Sequence, residues 1–156
     1  MDVYATVKTI HLLSATILFG TGLGTAFFFF RAHAAGNEGG RLVAVRTTVL
    51  ADLLFTTPAV ILQPLTGAWL IWKGSFQWTD LWLSATYVLY FLAALCWLPV
   101  VAIQLRMKRM LERAGGGEPI DQVRYDRLFR TWFMLGWPAF GGLVLVYFLM
   151  VMKPRW

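Results

Sequence analysis

Charged residues and cysteine are scarce in this sequence. Asp, Glu, Lys and Arg make up 14% of the 156 residues, against about 25% in an average soluble domain, whereas 58% are hydrophobic. The single cysteine, Cys96, excludes an internal disulfide, a CxxCH haem-attachment motif and a cysteine zinc site. The sequence also lacks an HExxH motif and the clustered carboxylates of a catalytic metal site. These absences exclude an ordinary soluble domain and the most familiar metal centres.

Four long apolar runs lie at residues 5–31, 43–73, 81–107 and 129–152. Each is longer than the roughly 20 residues that a helix needs to cross about 30 Å of hydrocarbon. The first run also exceeds the roughly 7–15 apolar residues of a secretory signal peptide, so we interpret it as a helix. Joined by short loops, the runs predict an all-α integral membrane protein, an up-down four-helix bundle in which residues 1–156 form one domain.

The basic residues predict the orientation of this bundle. Of the 14 Lys and Arg residues, ten lie near the first and third loops and four lie near the second loop and the termini. The ten are Arg31, Arg41, Arg46, Arg106, Lys108, Arg109, Arg113, Arg124, Arg127 and Arg130, and the four are Lys8, Lys73, Lys153 and Arg155. Because Lys and Arg accumulate in cytoplasmic loops, the first and third loops are predicted to be cytoplasmic, with both termini outside. The net charge of +6 is then explained by the basic residues near the cytoplasmic loops, and it gives no reason to expect a nucleic-acid partner.

The second run carries a stripe of small and polar residues on one helix face. Its members follow at steps of three or four: Thr48, Asp52, Thr56, Ala59, Gln63 and Thr66. A charged carboxylate about five residues inside the membrane edge costs several kcal/mol unless it is paired or hydrated, so Asp52 is expected to face the interior. Arg130 and Lys108 are candidate partners, and a purely structural bridge between helices is the alternative. Pro58 and Pro64 free backbone carbonyls beside the stripe.

The third and fourth runs add further polar residues. Tyr90, Trp97 and Gln104 are spaced by seven residues and share a helix face, and Arg130 begins a face of the fourth run. Such faces are more often helix packing than cofactor sites, although buried Tyr and Trp need hydrogen-bond partners. The predicted polar interior therefore consists of Asp52, Thr56, Gln63, Tyr90, Trp97, Gln104 and Arg130.

The first run places His11 about one turn inside its first end. Small residues on the same face, Ser14, Ala15 and Gly22, leave room for a planar molecule such as a porphyrin or quinone. Because imidazole is a good axial ligand for haem iron, His11 is the candidate iron ligand and haem b the candidate cofactor. The alternative is an interfacial histidine bonded to a tyrosine or a backbone carbonyl.

An up-down bundle brings the external ends of all four spans together. The predicted ring site therefore consists of His11, Ala15, Gly22, Thr66 and Tyr87. His33 cannot complete a bis-histidine site, since it is 22 residues from His11, or roughly 33 Å along a helix. Gly20 and Gly24 form a GxxxG pair on the opposite face, which is typical of close helix packing or of a homo-oligomer interface.

A resemblance to a known family covers nearly the whole chain. It is carried by the segments YATVKTIHLLSATILFGTGLGTAFFFF, TTPAVILQPLTGAWLIW, CWLPVVAIQLRMKRM and FMLGWPAFGGLVLVYFLMVMKP, which resemble the domain of unknown function 2269 family of bacterial membrane proteins. More distantly, the order of His11, the glycines, Arg31 and His33 is similar to the first helix of the membrane protoporphyrinogen oxidase and of the copper-resistance D proteins. These resemblances imply a bacterial inner membrane, and a histidine-bearing helix in a bundle able to hold b-type haem or a porphyrin. In that membrane, the outside termini predicted from the basic residues are periplasmic.

Three functional hypotheses follow, and enzymatic activity is left open. The first is a small redox protein that binds b-type haem or a porphyrin at His11. The second is a transport or metal-handling protein that uses the polar stripe as a path, with Asp52 as its ionisable group. The third is an assembly or scaffold subunit whose polar faces bind neighbouring helices within the lipid bilayer.

The predicted orientation is tested with a reporter that fluoresces only in the cytoplasm. Fused after Trp156, the reporter should stay dark, because the termini are predicted to lie outside. Inserted in the turn at Gly115–Gly117, it should fluoresce. The reverse pair of results would overturn the orientation.

Overall fold

The computed structural model describes residues 2–154, and every regular element in that range is helical. The elements are α1 (Val3–Ala34), α2 (Glu38–Ala51), a π-helical turn (Asp52–Thr56), α3 (Thr57–Lys73), α4 (Leu81–Gly115) and α5 (Gln122–Met152). The π-helical turn joins α2 and α3 into one continuous second span, Glu38–Lys73. All four spans are long and apolar enough to cross a membrane. The predicted four-helix membrane bundle is thus confirmed. Trp156, the site of the reporter fusion, and Arg155 lie outside the described residues.

The helices extend beyond the predicted runs at one end of the bundle. We call this the basic end; it carries the loops at residues 35–37 and 116–121, and the opposite end, with both termini, is the terminal end. The second span begins at Glu38 and the fourth at Gln122, since the side chains of Asn37 and Asp121 accept hydrogen bonds from backbone N–H groups of the first turn. An apolar run marks only the part of a helix that meets lipid, whereas caps decide where the helix begins.

The helices pack in a ring that is weakest between its first and last members. α1 packs on α2 and α3, α2 packs on α4, and α4 and α5 share the most extensive contact. The backbones of α1 and α5 rarely approach each other, and aromatic side chains bridge the space between them. The ring of Phe19 lies 4.6 Å from that of Phe140, and the ring of Phe29 lies 4.8 Å from that of Trp132. Large rings therefore hold these two helices apart.

Most of the buried core lies near the basic end. It includes Phe29, Val45, Val100, Ile103, Met107, Leu111, Tyr125, Phe129 and Trp132. A smaller cluster of Ile71, Trp82 and Leu83 lies near the terminal end. His33 stacks on Phe129 with ring centroids 3.6 Å apart, at the basic end and far from His11. The two clusters leave the middle of the bundle less densely filled.

Proline frees a backbone acceptor in the second span, as the sequence predicts. Pro64 has no N–H to donate to the carbonyl of Val60, one turn earlier. The hydroxyl of Tyr90 donates to that carbonyl at 2.6 Å. The bond ties α4 to α3, two helices with few other close contacts. A residue that weakens one helix thereby provides the attachment point for its neighbour.

We expect Tyr90→Phe to destabilise the bundle by roughly 0.5–2 kcal/mol, the range for hydrogen bonds between membrane helices. In a Pro64→Ala background the same change should cost much less, because the introduced alanine has an N–H that can bond the Val60 carbonyl itself. The free energy of unfolding, measured by titration from mild to denaturing detergent, checks this double-mutant cycle. Tyr87→Phe, at an exposed tyrosine of the same helix, is the control. Equal costs of Tyr90→Phe in both backgrounds would contradict the assignment.

Candidate functional site

A cavity of about 320 Å³ lies in the middle of the bundle. All four spans contribute to its wall, which is almost entirely apolar. The apolar part includes Leu18, Gly22, Val60, Ala93, Phe133, Gly136 and Phe140. The groups able to form hydrogen bonds are Thr25, Asp52, Thr56, Tyr90, Trp97, Gln104, Trp132 and Trp137. The cavity therefore joins the polar stripe of the second span to the Tyr90, Trp97 and Gln104 face of the third.

Among the described residues, Asp52 is the one acidic side chain that lines this cavity, and it is only 7% exposed. Its carboxyl group accepts a hydrogen bond from Thr56 Oγ1 at 2.8 Å, and the side chain of Gln104 lies nearby. Within residues 2–154 the side chain has no Lys, Arg or His partner at ion-pair distance. The carboxyl group is thus solvated by neutral polar side chains rather than by a cation.

The expected cationic partners of Asp52 lie elsewhere, which corrects the sequence-based interpretation. Lys108 lies 4.0 Å from Glu112, one turn further along its own helix, and Arg46 lies 2.9 Å from the same carboxylate. Arg130, placed by the sequence in the polar interior, is exposed near the basic end. A long basic side chain near a helix end reaches polar surroundings, so nothing draws it into the apolar cavity.

The π-helical turn positions the polar end of the cavity. Thr57 donates both its backbone N–H and its hydroxyl, at 2.8 Å, to the carbonyl of Asp52. Pro58 follows directly and has no N–H for the regular bonding pattern. The wider turn keeps Asp52 and Thr56 on the same inward side, where both are buried. Such turns occur frequently at functional sites.

Three buried polar atoms of the cavity wall have no partner among the described residues. They are Nε1 of Trp97, Nε1 of Trp132 and Oε1 of Gln104. Gln104 is 3% exposed and Trp132 is 7% exposed. Buried donors and acceptors in native proteins are nearly always bonded to protein, water or a bound molecule. Their grouping around one cavity distinguishes this place from ordinary helix packing.

His11 belongs to a separate polar group closer to the terminal end. Its Nδ1 lies 2.7 Å from the hydroxyl oxygen of Thr66, whose proton is donated to the carbonyl of Leu62 at 2.6 Å. We therefore assign Nδ1–H as the donor to Thr66, which leaves Nε2 with a free lone pair. Gln63 Nε2 donates to the His11 carbonyl at 2.8 Å and to Ser14 Oγ at 2.6 Å. This network ties α1 to α3.

The structure brings together only some of the predicted ring site. His11 and Thr66 are in contact, but Gly22 lies on the central cavity, eleven residues or roughly 16 Å further along α1. Ala15 is half-buried, and Tyr87 is 39% exposed and does not line the cavity. The stripe of the second span thus divides into two groups, one on the cavity and one on His11.

The fourth-run face that begins at Arg130 shares only Trp137 with the cavity, so sequence reasoning missed most of the contribution of α5. Trp132, Phe133, Gly136, Trp137 and Phe140 all line it, and their spacing of three to four residues is the signal that marks one helix face. Interpretation of the fourth run from its charged first residue, Arg130, does not indicate this aromatic face.

Other sequence features lie away from both polar groups. A Cβ added at Gly20 or Gly24 would meet nothing within 4 Å, so this GxxxG face is open within the chain. Arg41 donates to the carbonyl of His33 at 3.1 Å and lies over the ring of Tyr125, and these contacts close the end of α1.

Across residues 2–154 there is no group of three or more His, Cys, Asp or Glu side chains placed to hold a metal ion.

Comparison with known protein families matches residues 5–154 to the family described as predicted integral membrane protein (DUF2269). No curated protein and no solved structure matches the chain. The match covers nearly the whole chain and agrees with the four apolar spans.

Proposed function

We propose that this chain, which belongs to the DUF2269 family of predicted integral membrane proteins, binds a flat, largely apolar molecule with a hydrogen-bonding group in its central cavity. The observation that carries the proposal is a cavity of about 320 Å³ with apolar walls and buried polar groups at Asp52, Thr56 and Gln104. Small-molecule sites are commonly apolar pockets of about 300–1,000 Å³ with a few convergent polar groups. The cavity has both properties.

The opening of the cavity favours a ligand that is dissolved in the membrane. Leu23 on α1 and Trp137 on α5 line the cavity and are also 52% and 65% exposed on the outside of the bundle. They lie on either side of the seam where the backbones of α1 and α5 are far apart. A molecule in the hydrocarbon can therefore enter sideways, past side chains, without separating two packed helices.

The size of the cavity favours one ring or two fused rings over a complete porphyrin. Its volume is at the lower limit for small-molecule pockets. A porphyrin has four pyrrole rings and two charged propionates, and the described residues of the wall include no cationic side chain for those propionates. Single-ring and naphthalene-sized compounds, including quinone head groups, meet both constraints.

A pair of glycine substitutions tests the cavity. Gly22 lines it and has open space where a Cβ would lie, whereas Gly20 is equally open but lies on the outer face of the same helix. We expect Gly22→Leu to fill the cavity and weaken binding of 2-methyl-1,4-naphthoquinone at least tenfold, and Gly20→Leu to leave binding unchanged. The measurement is quenching of tryptophan fluorescence in lipid nanodiscs, since Trp97, Trp132 and Trp137 line the cavity.

If binding is specific, the quenching should reach a plateau as the naphthoquinone concentration rises. Partition into lipid gives quenching that keeps increasing with concentration and shows no plateau. Quenching that does not saturate in the unsubstituted protein would contradict the proposal. The proposal would also be contradicted if quenching saturates in the unsubstituted protein but a Gly22→Leu variant, folded by circular dichroism, binds with the same affinity.

We also propose a haem b at His11, in a redox role, as a second candidate function. One observation favours it: the bond between Nδ1 and Thr66 holds the imidazole in one orientation and leaves Nε2 free. Ligating histidines typically have such a partner on the other ring nitrogen, which fixes the tautomer and ring orientation. The haem would then lie outside the central cavity, whose wall does not include His11.

Addition of haem to the purified protein tests this candidate. If His11 is the iron ligand, the protein should show a Soret band that His11→Ala abolishes or strongly shifts. His33→Ala is the matched control, because the second histidine lies at the other end of the bundle against Phe129. A protein that takes up no haem, or a spectrum unchanged by His11→Ala, would rule this candidate out.

A further inference from the structure

We infer that the ligand of the central cavity is a lipophilic amine, bound in its protonated form with the ammonium group at Asp52 and its rings among the aromatic side chains. The inference rests on the proposed function and specifies its ligand class. It follows from the charge, the hydrogen-bonding groups and the rings around the cavity.

The first argument is the missing counter-charge. Asp52 is 7% exposed, lies within a membrane span and has no cationic side chain at ion-pair distance in the described part of the chain. An ionisable group at such a depth is unfavourable unless a partner compensates its charge, and such groups commonly mark ligand or ion pathways. The expected partner Lys108 is directed to Glu112 instead, as is Arg46. An ammonium ion in the cavity would supply the absent positive charge.

The second argument is the type of hydrogen-bonding group left open. The hydroxyl of Thr56 bonds Oδ1 of Asp52, which leaves Oδ2 available for a ligand. The side chain of Gln104 lies next to the same carboxyl group, and its Oε1 has no partner among the described residues. Both atoms are acceptors, so at this place they call for a ligand that donates. A protonated amine provides two or three N–H donors at one point, whereas a quinone provides none, and its oxygens can pair only with the unpaired indole N–H groups of Trp97 and Trp132 elsewhere on the wall.

The third argument is the set of rings around the cavity. Tyr90, Trp97, Trp132, Trp137 and Phe140 contribute to its wall. The faces of such rings attract cations, most strongly where water is excluded. They also pack against the apolar part of a ligand. An aromatic wall around one uncompensated carboxylate is thus suited to a molecule that is both cationic and apolar.

Two naphthalene compounds of nearly the same size distinguish the contribution of the ligand's positive charge to binding from that of its aromatic rings. 1-(Aminomethyl)naphthalene is cationic at pH 7, and 1-ethylnaphthalene is its neutral counterpart. Binding is measured by calorimetry on the full chain in phosphatidylcholine nanodiscs, with the heat of empty nanodiscs subtracted. We expect the amine to bind at least tenfold more tightly than the neutral compound. Zwitterionic lipid avoids attraction of the amine to an anionic membrane surface.

The variants assign the preference to Asp52. Asp52→Asn keeps a group that can accept from Thr56 but removes the charge, and it should reduce the preference for the amine to near unity. Glu118→Gln removes one negative charge from an exposed loop and should leave the preference unchanged. Circular dichroism and size-exclusion profiles establish that each variant is folded. If Asp52→Asn does not fold, Thr56→Val and Gln104→Leu are measured instead, and each should lower the preference at least threefold.

The outcomes separate this inference from the proposed function. Saturable binding of both compounds with equal affinity overturns the amine inference and leaves the proposed function standing. If neither compound binds saturably, both the amine inference and the proposed function are overturned. A preference for the amine that persists in the folded Asp52→Asn variant, or in both substitute variants, also overturns the inference.

Discussion

Inside hydrocarbon no water is available to bond a polar group, and this constraint decides where the polar side chains of the spans lie. The hydroxyls of Thr9, Thr16, Thr47 and Thr131 donate to the carbonyl one turn earlier in their own helix. Gln63 and Tyr90 instead donate across helices, and Thr66, which donates within its own helix, accepts from His11; these bonds connect α3 to its neighbours. The same rule explains why Pro64 has a tyrosine hydroxyl beside the carbonyl that it leaves free.

The central cavity is the place where this rule is not fully met. Large aromatic rings separate α1 from α5, so the middle of the bundle stays open while both ends are closed by packed side chains. The acidic residue and the unpaired indole and amide atoms are grouped around that opening. In this one region the helices leave an unfilled space and buried polar atoms lack partners among the described residues. Such a combination is the physical reason to expect a ligand there.

The two polar groups of the bundle have different chemical properties. Around His11 nearly every donor has an acceptor, and the result is a stable connection between α1 and α3 that leaves one imidazole nitrogen available. Around Asp52 the partners are fewer and the carboxyl group has no counter-charge among the described residues. The first group is suited to hold a ring in a fixed orientation, and the second is suited to accept a charge from a ligand.

Much of the fold could be predicted from the sequence, because apolar length and helical periodicity are local properties. Length determined the four spans, and periodicity correctly placed Thr48, Asp52, Thr56 and Gln104 on buried faces. Periodicity cannot determine which side chain of a neighbouring helix a residue meets: the sequence groups His11 with Thr66 in one predicted site, but its alternative of a hydrogen-bonded histidine names a tyrosine or a backbone carbonyl as the partner, whereas the structure has Thr66 in that role. For the same reason the sequence alone places Arg130 inside, although its position near the basic end leaves it exposed.

Only the tertiary structure decided that one polar stripe divides between two sites. That division depends on the π-helical turn, on the prolines and on the aromatic rings that set the distances between helices.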